Sequence, residues 1–348
     1  MDVGSVGFEL TDRCDLACAH CLRAVVPPHA QRARDIELGL VERVVGEARK
    51  LGIPHVGLTG GEPTLHPHFL QVVDAIVGHG LSYNFVSNGL GLPELIPRWA
   101  ARPERRQGLR DITVSLDGAT EATHDGIRGR GTFRRTLAGI AVLRATGVPF
   151  NISMCITRTN RHQIDQMGLF AHHLGAQRLY LTHFLPNGRP HATQDLDLTT
   201  DERHQVEAVI KRLIDAMRFP IFVGEGYYTT ETDHQCATVR LRTLNVDPSG
   251  HVTFCCELSN YYGEARPPET RSDWICDLAR VSLEEAIALQ RAAIARFRGE
   301  RLEDEAAGRR GEDDKFACRY CVRHFGKPER EVVPVQKLRT RGRADLIC

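Results

Sequence analysis

Over the first two hundred residues, short apolar runs alternate with longer amphipathic ones, and this alternation constrains the fold more than any other feature. The runs "VGFEL", "HVGLT", "SYNFVS", "DITVSL", "PFNISMCIT" and "QRLYLTHFL" read as strands. After them come "ELGLVERVVGEARKLG", "PHFLQVVDAIVGHG", "LPELIPRWAAR", "TFRRTLAGIAVLRATG", "NRHQIDQMGLFAHHLG" and "TTDERHQVEAVIKRLIDAM". These carry helical spacing, and several close at a glycine such as Gly52, Gly147 or Gly175. Six strand–helix units in series predict an α/β fold, a parallel sheet with helices outside it. The alternation itself leaves an open sheet and a partial barrel as alternatives. In either, chemistry gathers at the C-terminal ends of the strands.

After about Met217 the rhythm changes. "IFVGEGYY" and "RTLNVDPSGHVTFCC" read as short strands, the second turning at Asp247-Pro248-Ser249-Gly250. A polar loop, "SNYYGEARPPETRSD", precedes the helix "SLEEAIALQRAAIARF", whose cap Ser282 and Glu285 make a capping box. "RGERLEDEAAGRRGEDDKF" reads as a charged, mobile stretch, followed by "ACRYC" and a basic tail. The 348 residues suffice for one large domain with a smaller appendage, or for two domains.

With 45 basic and 44 acidic side chains the net charge is +1, so neither nucleic acid nor a membrane surface is an expected partner. The N-terminal "MDVGSVGFEL" reads as a strand rather than an export signal, and no apolar run reaches the roughly 18 residues of a membrane span. Eleven cysteines without such a signal point to a reducing cytoplasm, where clustered cysteines are more often metal ligands than disulfides.

Cys14, Cys18 and Cys21 follow the first strand directly, spaced C-x3-C-x2-C. A zinc site would need a fourth ligand nearby; the next cysteine is Cys155, so His20 or His29 would have to serve. A [4Fe–4S] cluster held by three thiolates instead leaves one iron without a protein ligand, open to a small molecule. The loop resembles that of the radical S-adenosylmethionine (radical SAM) family. The resemblance implies that the open iron chelates the amino and carboxylate groups of SAM. An electron from the cluster then breaks the sulfonium C–S bond, and the 5′-deoxyadenosyl radical takes a hydrogen atom from substrate. His20 holds the place, before the third cysteine, where the family usually has an aromatic residue near the adenine.

Later motifs arrive in the family's order, each at a strand end. In "TGGEP", Gly60 and Gly61 permit close backbone approach of a ligand or simply a tight turn. The resemblance implies that Gly60, Gly61, Glu62 and Pro63 meet the SAM amino group. "VSNG" supplies Ser87 and Asn88, which alone are ordinary turn chemistry. Ser115 and Asp117 offer a hydroxyl and a carboxylate suited to ribose. Arg128 could clamp the SAM carboxylate; its plain alternative is a surface ion pair with Asp125 or Glu121. The resemblance covers roughly residues 6–190.

Cys236, Cys255, Cys318 and Cys321 supply four more thiolates, enough for a second cluster or a zinc ribbon. Behind a radical SAM core, C-x13-G-x4-C…C-x2-C resembles the twitch domain, the shortened relative of SPASM, with one auxiliary [4Fe–4S] cluster. Residues 257–317 then form an insertion serving as a lid or partner surface. Cys155, Cys256, Cys276 and Cys348 are left over. Buried free cysteine is usually inert, but a thiol near a carbon radical is a competent hydrogen donor, and Cys155, Cys256 and Cys276 are the candidates. His183 is either a substrate contact or a structural histidine. Tyr227, Tyr228, Tyr261 and Tyr262 either line a substrate surface or pack in the fold.

The combined expectation is a partial (β/α)6 TIM-like barrel over residues 1–218 and a small α+β twitch-like iron–sulfur domain over 219–348. The resemblance implies SAM, a SAM-binding cluster and an auxiliary cluster as cofactors, and an electron donor such as flavodoxin or ferredoxin. The expected reaction is crosslinking, oxidation or epimerisation of a ribosomally made peptide, with or without a separate peptide-recognition protein. An aminosugar or aminocyclitol substrate is the alternative, and a non-enzymatic zinc or iron–sulfur binding protein a second one.

Overall fold

A computed structural model describes residues 3–23, 25–186, 196–234, 236–259 and 273–327. Tyr261, Tyr262 and Cys348 lie outside these residues. The strands are β1 (Ser5–Glu9), β2 (His55–Thr59), β3 (Ser82–Ser87), β4 (Leu109–Ser115), β5 (Phe150–Ile156), β6 (Leu179–His183), β7 (Ile221–Val223), β8 (Thr243–Val246), β9 (His251–Thr253) and β10 (Trp274–Asp277). The helices are α1 (Leu38–Lys50), α2 (Phe69–Gly78), α3 (Leu92–Ala100), α4 (Pro103–Gly108), α5 (Glu121–Arg128), α6 (Thr132–Ala145), α7 (Ile164–Leu174), α8 (Thr200–Ala216), α9 (Leu283–Ala306) and α10 (Ala317–His324).

All ten strands join one sheet in the order β10-β9-β8-β1-β2-β3-β4-β5-β6-β7. From β8 to β7 every neighbouring pair is parallel, and β9 and β10 add antiparallel at the β8 edge. This is the parallel core that the alternation predicts, a sheet whose edges β10 and β7 do not pair with each other among the described residues. The strands after residue 218 are split between the two edges. β7 extends the β6 side, and β8 pairs with β1 in the register Val6 to Leu244.

The core follows from the strand composition. Val6, Phe8, Val56, Leu58, Tyr83, Phe85, Ile112, Val114, Ile152, Met154, Leu179 and Leu181 are all buried, each contributing roughly 1.5–3 kcal/mol of transfer free energy on the usual scale. Close backbone packing sets the turns above it. A Cβ on Gly139 of α6 would lie 2.2 Å from the carbonyl oxygen of Gly89, so the helix rests directly on the turn after β3.

Several elements differ from the sequence expectation. The segment after β4, to which the sequence assigns no element, contains α5, capped by Thr120, with Arg128 as its last residue. Its eight residues carry a single large apolar side chain, Ile127, and so give little helical signal. The charged stretch from Arg298 begins as helix rather than as a mobile segment, since α9 continues unbroken to Ala306. Arg298 and Arg301 are held there by Asp233, an anchor distant in sequence. β10 was unread; its "WICD" has no alternation that would separate it from loop. No helix among the described residues is long and apolar enough to cross a membrane.

Candidate active site

The loops after β1, β2, β3 and β4, together with the ends of β5 and β6, meet around a cavity of about 220 Å³. Cys14, Cys18 and Cys21 line it, with His20, Gly60, Gly61, Glu62, Ser87, Asn88, Ser115, Arg128, Cys155, Thr182, His183 and Glu257. Pro63 and Asp117 are absent from its lining.

The cysteine loop is fixed by its own backbone. Cys14 N donates to Val26 O at 2.8 Å, Cys21 N to Cys18 O at 3.1 Å, and Ala19 N to Ile127 O at 2.8 Å, the last tying the loop to α5. Arg13 grips Asp35 through Nε and Nη2 at 3.0 and 2.8 Å. The "GGE" segment packs on the stem of this loop: Gly61 N donates to Thr11 O at 2.6 Å and Glu62 N to Arg13 O at 2.7 Å. A Cβ on Gly60 would sit 2.5 Å from Thr11 O, and one on Gly61 2.2 Å from Arg13 O. The two glycines are thus required by the approach of one loop to another.

Glu62 is buried and already engaged, accepting from Thr64 Oγ1 at 2.7 Å and from Asn88 N at 2.7 Å. Burial pushes its carboxyl above the usual range, opposed by these hydrogen bonds. Asn88 also donates through Nδ2 to Asp15 at 2.7 Å, linking the turn after β3 to the cysteine loop.

Asp117 is fully buried beneath the cavity floor. Its carboxylate accepts from His20 Nε2 at 2.6 Å, from Arg128 Nε, and from Cys155 N at 2.8 Å. Burial alone would raise its pKa, but Arg128 and His20 outweigh that and hold it well below the usual carboxylate range. Arg128 is therefore paired with Asp117 rather than with Asp125 or Glu121; its Nη1 lies 4.0 Å from Cys18 Sγ.

A second cavity of about 220 Å³ is lined by Cys236, Cys255, Cys256, Cys318 and Cys321. The last two stand one turn apart on α10, which brings both sulfurs to one side. Cys276, on β10 opposite Val252, lines neither cavity. Thr182, His183, Leu185 and Glu257 line both cavities and form the wall between them. The His183 side chain is 1% exposed, and neither ring nitrogen has a hydrogen-bond partner; Nε2 lies 3.6 Å from Glu207 Oε1.

Glu257 and Arg23 were missed by the sequence reading. Arg23 lines the first cavity, forms an ion pair with buried Glu9 and donates to Ser259 O, bridging the first cysteine loop to the segment after Cys255. No spacing rule flags either residue. The only signal is proximity in sequence to a cysteine.

Residues 8–171 match the model described as the Radical SAM superfamily. The chain belongs to that superfamily. The chain is 33% identical over 202 residues to the mycofactocin maturase MftC of Mycobacterium tuberculosis H37Rv, covering 57% of this chain and 49% of that one. It is 32% identical to the AdoMet-dependent heme synthase of Methanosarcina barkeri, over 57% of this chain and 55% of the relative. The PqqA peptide cyclase of Ruegeria pomeroyi is 30% identical over 71% of this chain and 66% of its own length. The chain thus spans about half the length of the first of these relatives. The fold is similar to native anSMEcpe with bound AdoMet and Cp18Cys peptide, with a TM-score of 0.61 and 14% identity over 83% of this chain and 82% of that one.

The family implies SAM and a [4Fe–4S] cluster, and the donor set of the first cavity fits them. Among the described residues no three His, Cys, Asp or Glu side chains close around a single metal ion. The three thiols line one cavity together, and a cluster takes one thiolate per iron.

Proposed function

We propose that this protein is a radical SAM enzyme that matures a ribosomally made peptide by crosslinking, oxidation or epimerisation. The observation that carries the chemistry is the sharing of one cavity by Cys14, Cys18 and Cys21 with the end of the "GGE" loop. In this reading the three thiolates hold the cluster, which with SAM supplies a 5′-deoxyadenosyl radical. Gly60, Gly61, Glu62, Ser87, Asn88, Ser115 and His20 surround the cofactor, and Arg128 faces its carboxylate. Asp117 acts one layer back, orienting His20 and Arg128 together. Pro63 shapes the turn from outside the cavity.

The peptide reading is supported by the names of two relatives, a mycofactocin maturase and a PqqA peptide cyclase. The heme synthase relative supports a second reading in which the substrate is a small molecule; the aminosugar or aminocyclitol within it remains the sequence expectation. We assign residues 219–348 to a twitch-like unit in which Cys236, Cys255, Cys318 and Cys321 hold an auxiliary cluster. The protein then works in the cytoplasm with a flavodoxin or ferredoxin as donor, with or without a separate peptide-recognition protein.

The test is anaerobic reconstitution followed by iron analysis and reduction in the presence of SAM. About eight irons per chain, as two cubane clusters require, and release of 5′-deoxyadenosine are expected. A colourless zinc protein that leaves SAM intact would end the proposal.

A further inference from the structure

We infer that the inner face of the sheet encloses a water-filled passage through which Glu9, the buried partner of Arg23, exchanges protons with solvent. Side chains alternate between the two faces of a strand. The outer set, Val6, Val56, Tyr83, Ile112, Ile152 and Leu181, is buried in one core with the helices. The inner set is of another kind. Thr59, Val86, Ser115, Cys155 and Thr182 line the first cavity. Two residues earlier on the same strands, and so beneath them on the same face, stand Gly57, Asn84, Thr113, Ser153 and Tyr180. Barrel interiors are ordinarily filled by branched apolar side chains. Here glycine and polar residues hold those places, and Gly57, Asn84, Ser153 and Tyr180 are only half-buried.

Two side chains of this lining point to its occupant. Among the described residues, Asn151, 0% exposed, has no hydrogen-bond partner on either amide atom, and Asn245, 6% exposed, has none on Nδ2. Asn245 stands opposite Gly7, whose Cβ would lie 3.2 Å from its Oδ1, and Asn151 stands opposite Thr113. Buried polar groups in that state ordinarily bond ordered water. The polar lining reaches the N-terminal ends of the strands, where His55 meets Ser82 Oγ through Nδ1 at 2.9 Å and Asn84 Oδ1 through Nε2 at 2.7 Å. At the other end is Glu9, 2% exposed and in register with Thr59. Arg23 pairs with its Oε2, Ser259 hydrogen-bonds the same carboxyl, and Asp247 is the other charged group bearing on it; Oε1 has no hydrogen-bond partner among the described residues. Burial pushes this carboxyl up to about 7, so it changes charge near neutral pH and needs a route for the proton. The transfer moves no electrons. Glu9 gains a proton as its O–H bond forms and an O–H bond of the adjoining water breaks. Each water of the row is resupplied by the next, and bulk solvent supplies the last proton. Because Arg23 lines the first cavity, the proton on Glu9 sets the charge beside that chamber without admitting solvent to it.

The passage does not depend on what the chamber above it holds, and its test needs no substrate. Infrared spectra of the anaerobically reconstituted protein are recorded at pH 6, with Glu9→Gln assigning the carbonyl band of the neutral Glu9 carboxyl by difference. On transfer to D₂O that band should shift well before the amide hydrogens of the sheet exchange. Gly57→Val should slow the shift at least tenfold by narrowing the passage. A Cβ at Gly57 meets nothing closer than Asn84 Oδ1 at 3.6 Å, so the strand accepts it. Gly39→Val, on α1 and outside the sheet, should leave the rate unchanged. A wild-type shift no faster than amide exchange, a Gly57→Val shift at the wild-type rate, or no neutral Glu9 band at pH 6 would each overturn the inference. A crystal structure of the wild type tests it without any variant. Waters bonded to Asn151 and to Asn245 Nδ2 are expected; protein atoms filling the passage, or no water on either amide, would overturn it.

Discussion

Asp117 stands where three parts of the site meet: the cysteine loop through His20, α5 through Arg128, and β5 through the backbone of Cys155. Replacing it with asparagine keeps the volume but removes the charge that pairs with Arg128 and the acceptor that holds His20, leaving Arg128 buried and unpaired. For Asp117→Asn we expect SAM affinity to fall tenfold or more, with iron content retained. The SAM-induced change in the reduced cluster's EPR signal, followed by titration, measures this. Gly61→Ala should act more severely, because its Cβ would meet Arg13 O at 2.2 Å and backbone must shift. A loss of about 2–3 kcal/mol of stability and poor cluster retention are expected, read by denaturant unfolding and iron analysis. At this scale the sequence was informative about identity and less so about orientation. The cysteines stand out by their spacing, and "GGE" by its resemblance to the family's motif. That Asp117 lies beneath the cavity rather than in it could not be read, because which way a carboxylate turns after a strand depends on donors contributed by distant parts of the chain.

Elements were legible where periodicity is strong and partners are local. The six strands and the helices between them show in the sequence because each buries a regular set of apolar side chains. α5 and β10 are short, and their positions come from neighbours that sequence patterns do not reveal. α9 illustrates both cases. Its start is written in the capping box, where Ser282 Oγ accepts from Glu285 N at 3.2 Å and Glu285 accepts from Ser282 N at 2.8 Å. Its last turns rest on Asp233 and could not be read locally. Ser282→Ala should cost about 1 kcal/mol of stability with the cysteine sites unaffected. Thermal unfolding alongside the absorbance of the reconstituted clusters would check both halves of that expectation.

For the whole molecule, the pairing of β8 with β1 means that the C-terminal part of the chain completes the sheet as well as carrying the second cysteine set. Arg23 and Glu9 lie at this junction. Burial pushes the Glu9 carboxyl up to about 7 from an ordinary 4.5, despite the opposing attraction of Arg23. The folded protein therefore binds this proton more tightly than the unfolded chain. The resulting stability is fully present below about pH 4.5 and is lost as pH rises through about 7. Glu9→Gln should flatten the decline in melting temperature between those pH values, measured anaerobically against wild type; an unchanged slope would show that Glu9 is not its source.

Thr182, His183, Leu185 and Glu257 each face both cysteine-lined chambers. A substitution there cannot be private to one chamber. Reshaping one room reshapes the other, so variants selected for a new guest in the first will carry an altered second room with them. The two rooms are expected to drift in step.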